Sequence, residues 1–406
     1  MESAWIPTLV LVAAIAAVSP VIAELTRRIG IPDVVIEILL GIMVGPYVLK
    51  LAHPDSVVNG FSQMGLAFLM FLAGFELDLL RIRGRPLKLA AAGWVASVVL
   101  GLAFALAFVS VGLALDSVVL GLAFTTTALG TLLPVLRDAG VFDTDFGRYV
   151  MAVGTVGEFG PIVAVALLLT KQDPLVAGLL LVVFIVTAVV ASLLAIRRRP
   201  PRMVAMMRRN LNSSAQLPVR VSVLLILLLI YLAFELGLDV LLGAFAAGIV
   251  VRLFTAGEDS EVIRAKLEAI GFGFLVPIFF VVSGIHFDLH ALIDKPTAFL
   301  RVPLFLVIFL VVRGAPVLFL YRKALTGVLR VPLAFFAGTG LPLIVVITSI
   351  GVSVGKMRPE NAAALVAAGI LSVVLYPLLG LRGLRRAGVV DEESTVVERP
   401  IAGDEL

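Results

Sequence analysis

Long apolar runs, interrupted at short intervals by glycine, proline or small clusters of charge, follow one another from one end of the chain to the other. Most approach the about 20 residues that a helix needs to cross a bilayer. The pattern predicts thirteen spans, at approximately 4–25, 32–50, 57–79, 87–112, 117–136, 147–169, 174–196, 218–235, 238–254, 262–285, 297–321, 331–354 and 360–381. Assigning the connections alternately to two faces places 25 of the 32 lysines and arginines on one face and 6 on the other, with Arg313 left inside a span. Basic loops stay in the cytoplasm. The expected orientation is therefore N-terminus outside and C-terminus cytoplasmic. One miscounted span would scramble the alternation beyond it, so the split also supports the odd number.

One run differs from the rest. GRYVMAVGTVGEFGPIVAVALLL, at 147–169, carries Glu158 at its midpoint and no other Asp, Glu, Lys, Arg or His past Arg148 at its start. An acid at the centre of a membrane helix costs at least about 2.5 kcal/mol on insertion scales, so such residues face a polar interior and mark ion or proton pathways. Pro161 has no N–H, which leaves the carbonyl of Gly157 without its helical donor and free to meet a cation or water. Gly154, Gly157 and Gly160 leave room for another backbone beside the acid. Glu158 is the expected carrier of the chemistry, with Gly157 beside it.

The longest polar connection, Arg197 to Arg220, divides the chain near its middle, and the two sides echo each other. FLAGFELDL at 71–79 aligns without gaps to VVSGIHFDL at 281–289, matching Gly74 with Gly284 and Asp78 with Asp288 at an offset of 210. LLGIMVG at 39–45 echoes LLGAFAAG at 241–248 more weakly. Six spans, a linking seventh and six more would make two inverted repeats, an architecture of secondary transporters, whose sites lie where broken helices meet at the midplane. The fifth span of each half holds the interruption. In the first half Thr125, Thr126 and Thr127 are central, with Gly130 and Pro134 just after. In the second, Gly338, Thr339, Gly340 and Pro342 are central. Arg313 lies too deep to reach water easily and needs a partner. Glu76 is the best candidate by type, and Glu37 is another.

Composition narrows the function classes. With 61% hydrophobic residues, 15% charged and a mean hydropathy of +1.13, the chain is a polytopic all-α membrane protein. Its net charge of +4 comes from sorted loops and does not indicate nucleic-acid binding. There is no cysteine for thiol chemistry, and three histidines give no zinc pattern. No HExxH motif occurs, so neither an enzyme nor a cofactor is expected.

Five stretches, in order along the chain, resemble the monovalent cation:proton antiporters, in particular the second cation:proton antiporter family with its Kef-type potassium/proton and bacterial sodium/proton exchangers. They are IPDVVIEILLGIMVGPYVL at 31–49, FLMFLAGFELDLLR at 68–81, GLAFTTTALGTLLPVLRDAGV at 121–141, LGAFAAGIVVRL at 242–253 and PIFFVVSGIHFDL at 277–289. The resemblance implies a scaffold part, a mobile ion-carrying part, two broken helices crossing at the site, and a homodimer packed through the scaffold. Family members carry an aspartate at the place of Glu158, usually after another polar residue. Here the pair is Gly157-Glu158, so one proton-carrying side chain stands where some relatives have two, and the longer acid has the space left by the glycine to reach into. The family's basic residue in the eleventh span falls on Arg313. Kef-type relatives often add a cytosolic nucleotide-binding domain, and none is read here.

The resulting expectation is a transmembrane antiporter domain over 1–386, with repeats at about 4–169 and 218–381, a linking helix at about 174–196, and a disordered acidic cytosolic tail over 387–406. It would sit in a bacterial plasma membrane and serve pH homeostasis. In a desolvated site a carboxyl holds its proton more tightly, while a cation with oxygen ligands favours the ionised form. Glu158 would therefore hold either a proton or a monovalent metal cation, sodium and/or potassium, helped by Thr126 and Thr127. Exchange would be one for one and electroneutral. The alternative is a sodium-coupled organic-anion symporter of related architecture, which needs an anion site at half-helix N-termini. A gated cation channel explains the midplane acid but not the matched breaks.

Overall fold

The computed structural model describes residues 5–26, 31–76, 82–168, 176, 178–184, 186–187, 190, 216–238, 240–255, 260–294 and 296–389. Within a bilayer each backbone N–H and C=O must find its partner inside the protein, and helices supply most of these partners. Among the described residues every regular element is helical. The first half contains α1 (Trp5–Leu25), α2 (Asp33–Val44), α3 (Ser56–Glu76), α4 (Arg85–Ser110), α5 (Ser117–Ala123), α6 (Leu129–Asp138) and α7 (Asp145–Leu168). The second contains α8 (Leu217–Glu235), α9 (Val240–Thr255), α10 (Ser260–Ile270), α11 (Val276–Ile285), α12 (Leu289–Ile293), α13 (Pro296–Phe309), α14 (Ala315–Leu320), α15 (Gly327–Gly338), α16 (Pro342–Ser353) and α17 (Pro359–Arg386).

Eight helical stretches of the described residues are long and apolar enough to cross a membrane. Predicted spans two and nine are the shorter α2 and α9, and the fifth is divided into α5 and α6. Span six is α7, 24 residues long. The predicted linking helix at 174–196 and the tail beyond Val389 lie largely outside the described residues.

Two helices run on through a single π turn: α10 into α11 through Gly271–Leu275, and α13 into α14 through Leu310–Gly314. Both turns stand just before a proline, Pro277 and Pro316. A proline lacks the N–H for the carbonyl four residues back and its ring crowds that carbonyl, so the preceding turn widens by one residue. The second widened turn carries Arg313.

The helices form two groups. α1, α2, α3 and α8 to α11 pack with one another, and α4 to α7 pack with α13 to α17. In the first group two pairs of helices touch backbone to backbone at glycines. Gly41 of α2 faces Gly284 of α11 so closely that a Cβ on Gly284 would lie 3.0 Å from the Cα of Gly41. Gly74 of α3 faces α9 in the same way, and a Cβ on Gly248 would lie 2.6 Å from the backbone nitrogen of Phe75. The glycines matched in sequence, Gly74 and Gly284, thus do the same packing work in the two halves. The groups meet at α7 and α9, where Phe159 and Phe245 stack with ring centroids 5.0 Å apart. Within the second group, Phe124 at the end of α5 packs edge-on to Phe305 and Phe309 of α13, at 5.3 and 5.9 Å.

Candidate functional site

Asp116 starts α5 by accepting from the N–H groups of Val118 and Val119, at 2.8 and 3.0 Å, and the helix stops after two turns at Ala123. The chain resumes as α6 only at Leu129. The interruption is therefore the threonine stretch itself. Gly130 and Pro134, expected to help make it, lie inside α6, where Gly130 faces open space. In the second half the expectation and the structure coincide: Gly338 ends α15, Thr339 to Leu341 are non-helical, and Pro342 opens α16.

The two interruptions cross and satisfy each other's backbone. Ala128 N–H donates to the Thr339 carbonyl at 2.7 Å, and the Thr127 hydroxyl donates to the Ala337 carbonyl at 2.6 Å. Ser372 of α17 closes the second break, donating to the Gly340 carbonyl at 3.0 Å and accepting from the Gly340 N–H at 3.1 Å. These bonds replace helical ones that neither segment can make internally. Thr126 is buried at the crossing, its Oγ1 within 3.0 Å of where a Cβ on Gly340 would stand.

Arg313 reaches this crossing from the π turn. Its Nε donates to Thr127 Oγ1 at 2.9 Å and, more weakly, to the Ala337 carbonyl at 3.4 Å. Nη1 donates to Ser97 Oγ of α4 at 3.3 Å, and Nη2 to the Val153 carbonyl of α7 at 3.2 Å. All four acceptors are neutral. The expected carboxylate partners lie elsewhere, which corrects the sequence reading. Glu76, the last residue of α3, has Arg264 of α10 at 3.9 Å, and Glu37 accepts from Ser19 of α1 at 3.4 Å. Both belong to the first group of helices, whereas Arg313 is enclosed by the second. Its charge is dispersed over a planar fork of donors that suits several backbone and hydroxyl oxygens at once.

Along α7 successive side chains turn by about 100°, and four consecutive positions have four different neighbours. At Gly157 the place of a side chain is occupied by Arg313 Nη2 and Thr127 Oγ1, and a Cβ there would lie 2.5 Å from the threonine oxygen. The room beside the acid is thus taken by a guanidinium and is not open to the longer glutamate. The Gly157 carbonyl, expected to be open because of Pro161, accepts from the Thr127 N–H at 3.0 Å. Phe159 faces the first group of helices, and Gly160 lies on the indole of Trp94.

Glu158 itself is buried and turns toward α6. The N–H of Leu129, in the first turn of α6, interacts with its carboxyl group, and the Glu76 carboxylate is within electrostatic reach. A half-helix N-terminus carries partial positive charge and orphan N–H groups, both suited to a carboxylate. The arrangement keeps the site's positive and negative charges on different faces of α7: Arg313 on one, Glu158 on the other. Chemically, Glu158 is a buried ionisable oxygen donor facing the backbone N–H of Leu129, a group able to hold either a proton or a small cation.

Ser97, Ser372 and the Leu129 N–H were not singled out by the sequence. A lone serine in an apolar run is a weak signal, and a backbone N–H is none.

Residues 9–381 match the family described as sodium/hydrogen exchanger, transmembrane. The chain belongs to this family of monovalent cation:proton antiporters. The exchanger-family chain is 25% identical to a putative Na(+)/H(+) antiporter, YjbQ, of Bacillus subtilis, over 98% of its own length and 66% of that protein's. It is 25% identical to a Na(+)/H(+) antiporter of Enterococcus hirae over 88% of its own length and 93% of the relative's. It is 24% identical to the glutathione-regulated potassium-efflux system protein KefC of Escherichia coli, over 88% and 57%. The chain thus spans about two thirds of the Bacillus relative. In fold it is similar to the sodium proton antiporter MjNhaP1 of Methanocaldococcus jannaschii, with a TM-score of 0.65 at 18% identity over 94% of this chain and 97% of that one.

Proposed function

We propose that the protein exchanges a monovalent metal cation, sodium and/or potassium, for protons, with Glu158 alternately carrying one or the other. The observation that carries this reading is the position of Glu158: a buried acid facing a half-helix N-terminus beside two interrupted helices that cross. Thr126 and Thr127 line the crossing, and Thr127 is held there by Arg313. A carboxyl can hold a proton or help ligate a cation, so binding one excludes the other. Among the described residues Arg313 bonds only neutral groups, and as a guanidinium it keeps its charge. Glu158 with a proton and Glu158 with a monovalent cation have the same net charge, so a one-for-one cycle moves none across the membrane.

The reading extends to architecture. Thirteen spans, built as two inverted repeats around a linking helix, are supported by the offset of 210 that relates Gly74 to Gly284 and by the presence of one interrupted helix in each half. The group holding α4 to α7 and α13 to α17 is the ion-carrying part, and it moves against the other group to open the site to each side in turn. The protein forms a homodimer through the scaffold group. It lies in a bacterial plasma membrane with its C-terminus in the cytoplasm and serves pH homeostasis. Relatives named as Na(+)/H(+) antiporters support the choice of substrate class.

The test is exchange in proteoliposomes containing a pH-sensitive dye, with sodium, potassium and lithium added in turn to wild type and Glu158→Gln. Collapse of the pH gradient by a monovalent cation in wild type alone is the expected result. Gradient collapse of equal rate in Glu158→Gln would remove Glu158 from its role.

A further inference from the structure

Tyr321 follows α14 directly and is 0% exposed, yet among the described residues its hydroxyl has no hydrogen-bond partner. Buried polar groups almost always have one, in the protein or as ordered water. Arg313, in the widened turn before α14, is also incompletely matched. A guanidinium has five N–H groups. The Nε group bonds Thr127 and Ala337, one N–H of Nη1 bonds Ser97, and one of Nη2 bonds Val153. The second N–H of each terminal nitrogen has no acceptor among the described residues, in a side chain that is itself buried. The two side chains share their walls. On α7, Tyr321 packs edge-on to Tyr149 with ring centroids 5.8 Å apart, and Arg313 bonds the carbonyl of Val153. On α4, the Tyr321 ring lies 3.9 Å from where a Cβ on Gly93 would stand, and Arg313 bonds Ser97. On both walls the two contact points are one helical turn apart, about 6 Å. Two hydrogen bonds in series through a single water span about 5 Å.

We propose that a buried water is bound in this turn between Tyr321 and Arg313, accepting from a guanidinium N–H and from the Tyr321 hydroxyl, and that Tyr321 thereby positions Arg313. Both open groups are donors, so the site calls for a small acceptor, and water meets that need without a second buried charge. The consequence for exchange rests on Thr127 lining the ion site, as proposed above. A guanidinium fixed at both its terminal nitrogens and at Nε cannot rotate in its own plane. With the water in place, Nε stays aimed at Thr127 Oγ1 and holds that hydroxyl at the crossing. Tyr321 acts on the site from a full turn away, through the water and the arginine, and touches no ion.

Synchrotron radiolysis of the full wild-type chain, read by mass spectrometry, tests the water directly. Hydroxyl radicals born from a bound water oxidise the side chain beside it even where bulk solvent has no access. Tyr321 is expected to be oxidised, with slow uptake of label from heavy-oxygen water, while the equally buried Phe71 and Phe280 stay silent. Proteoliposome exchange tests the positioning. Tyr321→Phe keeps the ring and is expected to raise the apparent KM for sodium about two- to tenfold, the range one hydrogen bond supplies, with a smaller change in maximal rate. Tyr149→Phe, on the same wall, is expected to leave the KM as in wild type. Tyr321→Phe should also melt lower than wild type, because a hydroxyl bonded to nothing is replaced by hydrogen without loss. A silent Tyr321, a Tyr321→Phe chain that melts no lower, or a KM that it does not move overturns the proposal. So does a wild-type melting temperature that falls when gluconate replaces chloride, which would put an anion in the place of the water. The labelling decides the matter even if Tyr321→Phe fails to fold. Wild type without exchange, or Glu158→Gln with it, overturns the reading beneath instead and leaves the labelling result standing.

Discussion

The N–H of Thr127 donates to the carbonyl of Gly157 over 3.0 Å, joining the first interrupted helix to the helix that carries Glu158. Pro161 makes this bond available, since a residue with an N–H at that place would return the Gly157 carbonyl to the helix. Pro161→Ala is expected to leave the melting temperature equal or higher and to slow exchange by at least about tenfold, because a Gly157 carbonyl returned to the helix no longer holds the crossing against the acid. Melting curves in detergent and initial exchange rates on the same preparation check it; equal loss of both would point to simple misfolding.

Gly157 and Gly130 predict opposite outcomes for one substitution. A Cβ at 157 would stand in the space of Arg313 Nη2 and Thr127 Oγ1, whereas nothing lies within 4 Å of one at 130. Gly157→Ala is expected to destabilise by about 1–3 kcal/mol, as overpacking of a filled core does, and to abolish exchange. Gly130→Ala is expected to be neutral or stabilising by up to about 1 kcal/mol, the usual gain for alanine in a helix. Thermal unfolding of the two variants side by side measures the contrast.

The two threonines separate structure from ion handling. Thr127 Oγ1 donates to Ala337 and accepts from Arg313, while among the described residues Thr126 Oγ1 bonds only the carbonyl of Ala123, at the end of α5, at 3.2 Å. Thr127→Val is expected to cost about 1–3 kcal/mol, since it leaves a buried donor of Arg313 poorly matched. Thr126→Val should keep the melting temperature and alter the apparent KM for the cation. A Thr126 variant with unchanged KM for sodium, potassium and lithium would remove its hydroxyl from the ion shell.

Competition for one carboxyl fixes the sign of the pH dependence. Below the pH at which the binding acid is half protonated, each further unit of acidification should raise the apparent KM for the cation about tenfold while leaving the rate at saturating cation nearly constant. Cation titrations of the exchange rate at several symmetrical pH values provide the slope. A cation KM that does not move with pH contradicts a shared site.

Glu37 provides the complementary case. It lies in α2, takes its hydrogen bond from Ser19 of α1, and belongs to the group of helices away from the crossing. Glu37→Gln is expected to keep exchange within about a factor of two, since a neutral amide can still accept from Ser19. A loss comparable to that of Glu158→Gln would place Glu37 on the ion route.

The parts of the fold that depend on hydropathy were legible in the sequence. The eight long apolar helical stretches among the described residues, the buried acid and the interruption at Gly338 to Pro342 all follow from side-chain type. What could not be read depends on backbone groups. Arg313 is satisfied partly by the carbonyls of Val153 and Ala337, and no pattern of residues announces which carbonyl will face an arginine. Searching for a carboxylate partner therefore led to Glu76 and Glu37, the right chemical type in the wrong group of helices. The same limit explains the Gly157 carbonyl: Pro161 showed that it would lose its helical donor but not that Thr127 would supply another. In the first half the threonines read as central do make the opening, which their hydroxyls and the partner segment's backbone stabilise, whereas Gly130 and Pro134, helix breakers by type, lie within α6.

The glycine seams between α2 and α11 and between α3 and α9 bear on mechanics. Side chains absorb a shift by changing rotamer, but main-chain atoms in direct contact have no such slack, so these four helices resist shear as one stiff anvil. Compliance is left to the plane where Phe159 and Phe245 lie face to face, a pair of flat, non-interlocking surfaces suited to gliding. The speed of exchange should then be sensitive to the size and smoothness of those two rings, far more than to any substitution that merely softens the helices behind them.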